Sequence, residues 1–193
     1  MSAPSSPVKP ERLSLQERKM RMMQGPEWDL AQQLAQDSAP DHFGHVRGFD
    51  IGHIFSDRKT CCNAGVHRHT QAGIVGTPLK GCYSVVVSGQ YEDDEDMGDT
   101  ILYTGVGGRD DGTKRQTGHQ DMGRPENAAL ERSMHTGQPI RVIRSIQLQR
   151  GPKGYRYDGL YRVVEAKETK GKSGYKICQF RLERCAEQPS LPT

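Results

Sequence analysis

Long apolar runs are missing from this chain of 193 residues. Mean hydropathy is -0.79, no stretch approaches the ~18 consecutive apolar residues of a bilayer span, and no apolar core follows the charges of the amino terminus. Neither a membrane protein nor a secreted one is expected. The five cysteines form no Cys-x-x-Cys pair, and no Asn-x-Ser/Thr sequon occurs; Cys61, Cys62, Cys82, Cys178 and Cys185 are expected as reduced thiols. The zinc-deaminase signature, His-x-Glu followed by Pro-Cys-x-x-Cys, is absent. Gly105-Val106-Gly107-Gly108 has neither the GxGxxG spacing nor a following Gly-Lys-Ser/Thr, so a nucleotide fold cradling phosphates is disfavoured.

What is present is unevenly distributed charge. The net charge is only +3, from 27 Lys+Arg against 24 Asp+Glu, yet residues 91–99 hold six acids and residues 141–185 hold twelve Lys/Arg against four acids. A basic region of that density suits a polyanion, or equally a solvated strand surface. The length allows one principal domain plus an appendage.

Residues 1–40 form that appendage by composition: Met-, Gln- and Ser/Pro-rich, almost free of β-branched residues, and punctuated by Pro7, Pro10, Pro26 and Pro40. Ser14-Leu15-Gln16-Glu17 has the form of a capping box, predicting a helix to about Met23, and Pro26 suits the first turn of a second helix with Trp28, Leu30 and Leu34 on its apolar side. From residue 43 the texture changes to short apolar strands separated by glycine-containing turns, the pattern of a curved sheet or small barrel. Strands are predicted at 83–88, 100–104, 140–146, 160–167 and 175–184, the last two forming a hairpin through Lys170-Gly171-Lys172-Ser173-Gly174. One helix opens at Pro125 and stops at Gly137. No internal repeat is evident.

Three constellations invite chemistry. Asp158, Glu165 and Lys167 suggest a metal-dependent nuclease, but no second acid joins them and Glu/Lys alternation is ordinary on an exposed strand. His67 and His69 lack a third metal ligand at recognisable spacing, so hydrogen-bonding roles are expected. Tyr91 and Tyr103, a carboxylate-rich turn and bare glycine backbone together make a pocket for a planar, polar heterocycle, though both tyrosines also suit ordinary barrel positions.

Ordered motifs settle the choice: Gly65-Val66-His67-Arg68; Tyr91-Glu92-Asp93-Asp94 followed by Asp96 and Gly98; Tyr103-Thr104-Gly105-x-Gly107-Gly108-Arg109-Asp110; Lys114-Arg115; Gly137-x-Pro139-Ile140-Arg141-Val142; and Tyr157-Asp158-Gly159-Leu160-Tyr161. The chain resembles the SRA (SET- and RING-associated, or YDG) domain family of eukaryotic type, as a stand-alone domain, over residues 43–185, with 186–193 as a tail. SET, RING, Tudor or PHD modules are not found in the sequence, so ligase or methyltransferase activity is not implied.

The resemblance implies an α+β fold, a twisted PUA-like β-barrel with flanking helices. It implies a non-catalytic epigenetic reader in the nucleus that binds double-stranded DNA containing 5-methylcytosine and flips the modified base into a pocket, with no cofactor or metal. Tyr91 and Tyr103 match the pair that sandwiches the base, and Asp94 the carboxylate that accepts from the cytosine N4 amino group. Backbone around Ser88, Gly89 and Thr104 would meet the remaining base-edge atoms, and Val106 the methyl group, where a smaller polar residue is usual. Thr113, Lys114 and Arg115 match the major-groove finger, Thr70 and Gln71 the minor-groove thumb, and the basic carboxyl-terminal strands would reach phosphates. Family members favouring hemimethylated CpG present Asn where Thr113 stands, and an apolar thumb residue where Gln71 stands, so a weakened hemimethyl preference is expected. The alternatives are a modification-dependent nuclease, or its recognition subunit, and an adaptor whose amino-terminal helices recruit chromatin partners to methylated DNA.

Overall fold

The computed structural model describes residues 42–110, 112–113, 115–148 and 152–191. The two amino-terminal helices expected from sequence and the finger residue Lys114 lie outside the described residues. The elements in chain order are β1 (Ile54–Phe55), α1 (Arg58–Asn63), β2 (Ile74–Thr77), β3 (Gly81–Val87), β4 (Glu95–Asp96), β5 (Thr100–Thr104), α2 (Pro125–Thr136), β6 (Ile140–Gln147), β7 (Lys153–Lys170) and β8 (Lys176–Arg184). They build one eight-stranded sheet in the order β2-β3-β6-β7-β8-β5-β4, with β1 paired to β7. β3 and β6 run parallel and the other strand pairs antiparallel. The α+β architecture is as expected, but the ladder ends at β2 and β4 among the described residues, so the barrel is not closed by hydrogen bonds.

Buried strands with apolar residues on both faces explain the continuous Val85-Val86-Val87 run. Val85 and Val87 enter a large cluster with Ile101, Tyr103, Leu130, Val142, Phe180 and Leu182. Val86 and Ile143 join a second cluster with Phe55, Cys61, Val66 and Tyr157. Adjacent strand residues point to opposite faces, so one strand serves two cores.

α2 begins with Pro125 at its first turn and ends at Gly137, whose φ of 69° is the left-handed cap that glycine takes without strain. Ser133 Oγ accepts the Cys82 N–H at 2.8 Å, and a Cβ on Gly81 would lie only 2.8 Å from that oxygen. The helix is therefore seated directly on β3.

β7 is longer than its expected 160–167 span. It runs through Gly154 and past a register shift that leaves Asp158 as the extra residue opposite Val142 and Ile143. Asp158 is fully buried there, paired with Arg144 and with Arg156 at 2.6 Å. The basic carboxyl-terminal region is correspondingly mixed in role. Arg141 is buried and donates to the carbonyls of His42, Gly44 and Val66, whereas Lys167 and Arg181 flank Glu165 at the surface.

Candidate functional site

The acidic turn after β3 is fastened on two sides. Asp94 N–H donates to Tyr91 O at 3.2 Å, and Asp94 Oδ1 accepts the Thr104 N–H at 2.8 Å, holding the carboxylate at the end of β5. Burial pushes the Asp94 carboxyl above its usual range, while the Thr104 hydrogen bond pulls the other way. The Thr104 N–H is thereby engaged by Asp94. On its other side the turn meets the β7–β8 hairpin: Asp93 Oδ1 accepts the Lys172 N–H at 2.7 Å, Lys172 Nζ donates to Glu92 O at 2.5 Å, and the Ser173 hydroxyl bonds Glu92 Oε1.

Tyr103 on β5 is 4% exposed and its hydroxyl reaches Gly73 O at 3.2 Å. A Cβ on Gly73 would approach that hydroxyl to 3.1 Å. Tyr91 lies under the Arg109 guanidinium, 4.9 Å from ring centroid to Cζ, and Arg109 Nη2 donates to Gln90 Oε1 at 3.0 Å. Burial raises both phenols, Tyr103 far above its usual value, so they remain neutral rings and donors at physiological pH.

Three buried amides shape the glycine loop between these tyrosines and α2. Asn127 of α2 accepts the Val106 N–H at 2.8 Å and donates to Val106 O at 3.0 Å. Gln120 donates to Gly105 O at 2.8 Å and Gln116 to Gly107 O at 2.9 Å. A Cβ on Gly105 would meet Asn127 Oδ1 at 2.5 Å, and one on Gly108 would meet Gly118 O at 2.3 Å, so close approach, rather than phosphate binding, is what these glycines allow.

Between turn, loop and sheet lies a cavity of about 560 Å³, lined by Tyr91, Asp94, Tyr103, Val106, Ser88 and Gln71 of the expected residues. Thr70, Gly89, Thr104, Thr113 and Arg115 do not line it. Sequence reasoning missed Arg58, Gln90, Arg109 and Arg124, which do; Arg109 stood in the quoted motif, but nothing local signalled that it covers Tyr91.

The two loops beside the cavity are tied down. Arg58 Nη2 donates to the carbonyls of His69, at 3.0 Å, and Ala72, and His69 Nδ1 accepts the N–H groups of Gln71 and Ala72. His67 is fully buried between Ser84 Oγ at 2.8 Å and Ala72 O at 2.9 Å, so both histidines act as hydrogen-bonding residues. In the second loop an Arg109–Gln116 bridge and the Asp110 N–H to Arg115 O bond close the base. Thr113 is exposed, with both its N–H and its hydroxyl 2.7 Å from Asp110 Oδ1. Among the described residues no group of three His, Cys, Asp or Glu is placed to hold a metal ion.

Comparison with known proteins agrees with this geometry. The SAD/SRA domain model matches residues 42–188. A UHRF1-like protein of Cryptococcus neoformans is 43% identical over 167 residues, covering 79% of this chain and 49% of its own length. The crystal structure of the SUVH5 SRA domain with fully methylated CG DNA superposes with a TM-score of 0.67 at 35% identity, covering 78% of this chain and 99% of that one. The modification-dependent TagI restriction endonuclease superposes with a TM-score of 0.69 at 43% identity, over 75% of this chain and 53% of that one. The chain spans about half the length, or less, of the curated relatives it matches first. With the motifs, the fold and this match agreeing over the same residues, the chain belongs to the SAD/SRA domain family.

Proposed function

We propose that this chain reads 5-methylcytosine in double-stranded DNA, holding the modified base outside the duplex in the cavity between Tyr91 and Tyr103 and performing no chemistry on it. The observation that carries the reading is the joint lining of one cavity by two aromatic rings, a carboxylate held through one oxygen by the Thr104 N–H, and the aliphatic Val106. Each base–aromatic stack is worth about 1 to 3 kcal/mol, enough in a pair to offset the few kcal/mol of unstacking and unpairing. Asp94 accepts from the N4 amino group of cytosine, which thymine lacks. Contact between Val106 and the methyl group supplies about 1 to 3 kcal/mol, a preference of tens-fold rather than an absolute one.

Further support comes from relatives of the SUVH5 SRA type, whose structures hold fully methylated CG, hemimethylated CG and methylated CHH DNA. The reading assigns the protein to chromatin in the nucleus, with the finger residues Thr113 and Arg115 in a DNA groove and the exposed basic residues of β7 and β8 near the phosphates. Titration of matched duplexes carrying no, one or two 5-methylcytosines per CpG, at one salt concentration, tests it. Equal affinity for all three overturns it.

The similarity to a restriction endonuclease favours a second reading, the recognition part of a modification-dependent nuclease. Asp158, committed to Arg144 and Arg156, is not free to join Glu165 around a cation. Cleavage of methylated plasmid with Mg²⁺ or Mn²⁺ that disappears in Glu165→Ala would establish that reading. Residues 1–40 are proposed as a separate partner-binding segment; their deletion is expected to leave methyl selectivity unchanged, and its loss in a folded truncation would refute the boundary.

A further inference from the structure

Asp93 stands between the two lining residues of the acidic turn and serves a different contact. Tyr91 and Asp94 line the cavity, whereas Asp93 is only 7% exposed and accepts the Lys172 N–H at 2.7 Å. Gly171 comes so close that a Cβ there would lie 2.8 Å from Asp93 Oδ2 and 3.0 Å from Ile177 Cγ2. The hairpin turn is itself internally closed, by Gly171 N–H to Tyr175 O at 2.8 Å and Gly174 N–H to Gly171 O at 2.9 Å. The acidic turn thus packs on a preformed surface rather than on a loose loop.

Asp93 is covalently joined to Asp94, and the Asp94 N–H to Tyr91 O bond closes the turn around it. A shift of Asp93 is thereby transmitted to Asp94 and Tyr91. A site that reads a base edge tolerates displacements of only about 0.5 Å, which is why the groups behind the contacting ones matter. We propose that Asp93 is a positioning residue for Tyr91 and Asp94, and that the hairpin turn at residues 171–174, remote from the base, is part of the recognition apparatus. The inference rests on the methylated-base reading of the cavity.

The test uses the full chain and two duplexes identical except for one 5-methylcytosine in a CpG. Affinity ratio, fluorescence of a 2-aminopurine beside the modified base, and thermal midpoint are measured for wild type, Asp93→Ala and Asp93→Asn. Asp93→Ala is expected to lose about tenfold or more of the methyl preference and most of the fluorescence change, with affinity for unmethylated DNA held within about twofold. Asp93→Asn keeps an oxygen acceptor for the Lys172 N–H and is expected to stay within about threefold of wild type. Should Asp93→Ala not fold, Gly171→Ala presses on the same contact from the other side and is expected to lose selectivity likewise. Full selectivity in a folded Asp93→Ala or Gly171→Ala, or an Asp93→Asn as impaired as Asp93→Ala, overturns the inference and leaves the methylated-base reading standing. Absence of methyl preference in the wild type overturns that reading instead.

Discussion

Asn127 hydrogen-bonds both backbone polar groups of Val106, accepting its N–H at 2.8 Å and donating to its carbonyl at 3.0 Å, while its second amide hydrogen reaches Asp121 O at 2.8 Å. One buried side chain on α2 thus imitates a strand partner for the residue assigned to the methyl group. Asn127→Asp is nearly isosteric, but it replaces a double donor by an acceptor facing two carbonyls. An unmade buried hydrogen bond costs about 1 to 3 kcal/mol, more with a charge. Chemical denaturation should show at least that loss, and methyl preference should fall with it. Unchanged stability and selectivity would show that the loop holds Val106 without the clamp.

His67 gives the domain an acid-sensitive step. Because Ala72 O can only accept, Nε2 carries the proton and Nδ1 accepts from the Ser84 hydroxyl, the neutral tautomer. Burial, reinforced by Arg58 and Arg141, lowers its pKa to about 3. A lowered folded value means that the stabilisation is full above the unfolded pKa of about 6.5 and is lost as pH falls from there toward about 3, at ~1.4 kcal/mol per unit. At pH 4.5 the loss is about 2 to 3 kcal/mol. His45, also lowered by burial, adds to the same sign. Denaturation midpoints between pH 7 and 4.5 should therefore fall in the wild type and flatten in His67→Gln; parallel curves would refute the assignment.

Asp94→Asn separates reading from stability. The amide retains an oxygen for the Thr104 N–H but offers a donor where the N4 amino group also donates, a mismatch worth about 1 to 3 kcal/mol. Salt-dependent binding to unmethylated DNA should persist, since phosphate contacts position and base contacts specify. A carboxyl raised by burial stabilises the fold below its unfolded pKa of about 3.9 and loses that contribution as pH rises through its folded value. At neutral pH the ionised group is therefore a cost, and the variant should melt no lower than wild type. Methyl preference retained in Asp94→Asn would dismiss the pocket assignment.

Much of this was legible because it is local. The expected strands at 100–104, 140–146 and 175–184 fall on β5, β6 and β8 to within a residue, and Pro125 and Gly137 bracket α2. β2 was not read because Gly76 interrupts its apolar run; the glycine is needed since a Cβ would lie 2.5 Å from Cys82 Cα. The first half of β7 was hidden by Gly154, Gly159 and the extra Asp158. α1, only six residues long, offered one signal, the Asp57 cap accepting from Thr60 N–H. Gln116, Gln120 and Asn127 carried no signal at all. Their bonds to the glycine loop and to β8 span 9 to 58 positions, and nothing in a single sequence distinguishes a buried amide from a solvated one.

By the family resemblance Thr113 stands at the proposed finger position, where hemimethyl-preferring members are expected to carry Asn, and its hydroxyl is already 2.7 Å from Asp110 Oδ1, as is its N–H. A threonine so engaged has no donor to spare for a base edge, and it lacks the paired amide contacts of Asn. Its methyl group would pack against a 5-methyl group rather than repel it. Gln71, which lines the cavity and matches the proposed thumb, would fill a vacated stack less completely than an apolar residue. Hemi- and fully methylated CpG duplexes should therefore bind within about threefold of each other, under roughly 0.7 kcal/mol, and non-CpG 5-methylcytosine comparably. Thr113→Asn should open a hemimethyl preference. Titration of both duplexes at one salt concentration decides the matter: a wild-type hemimethyl advantage of about tenfold or more would show that Thr113 excludes the second methyl group as well as Asn does.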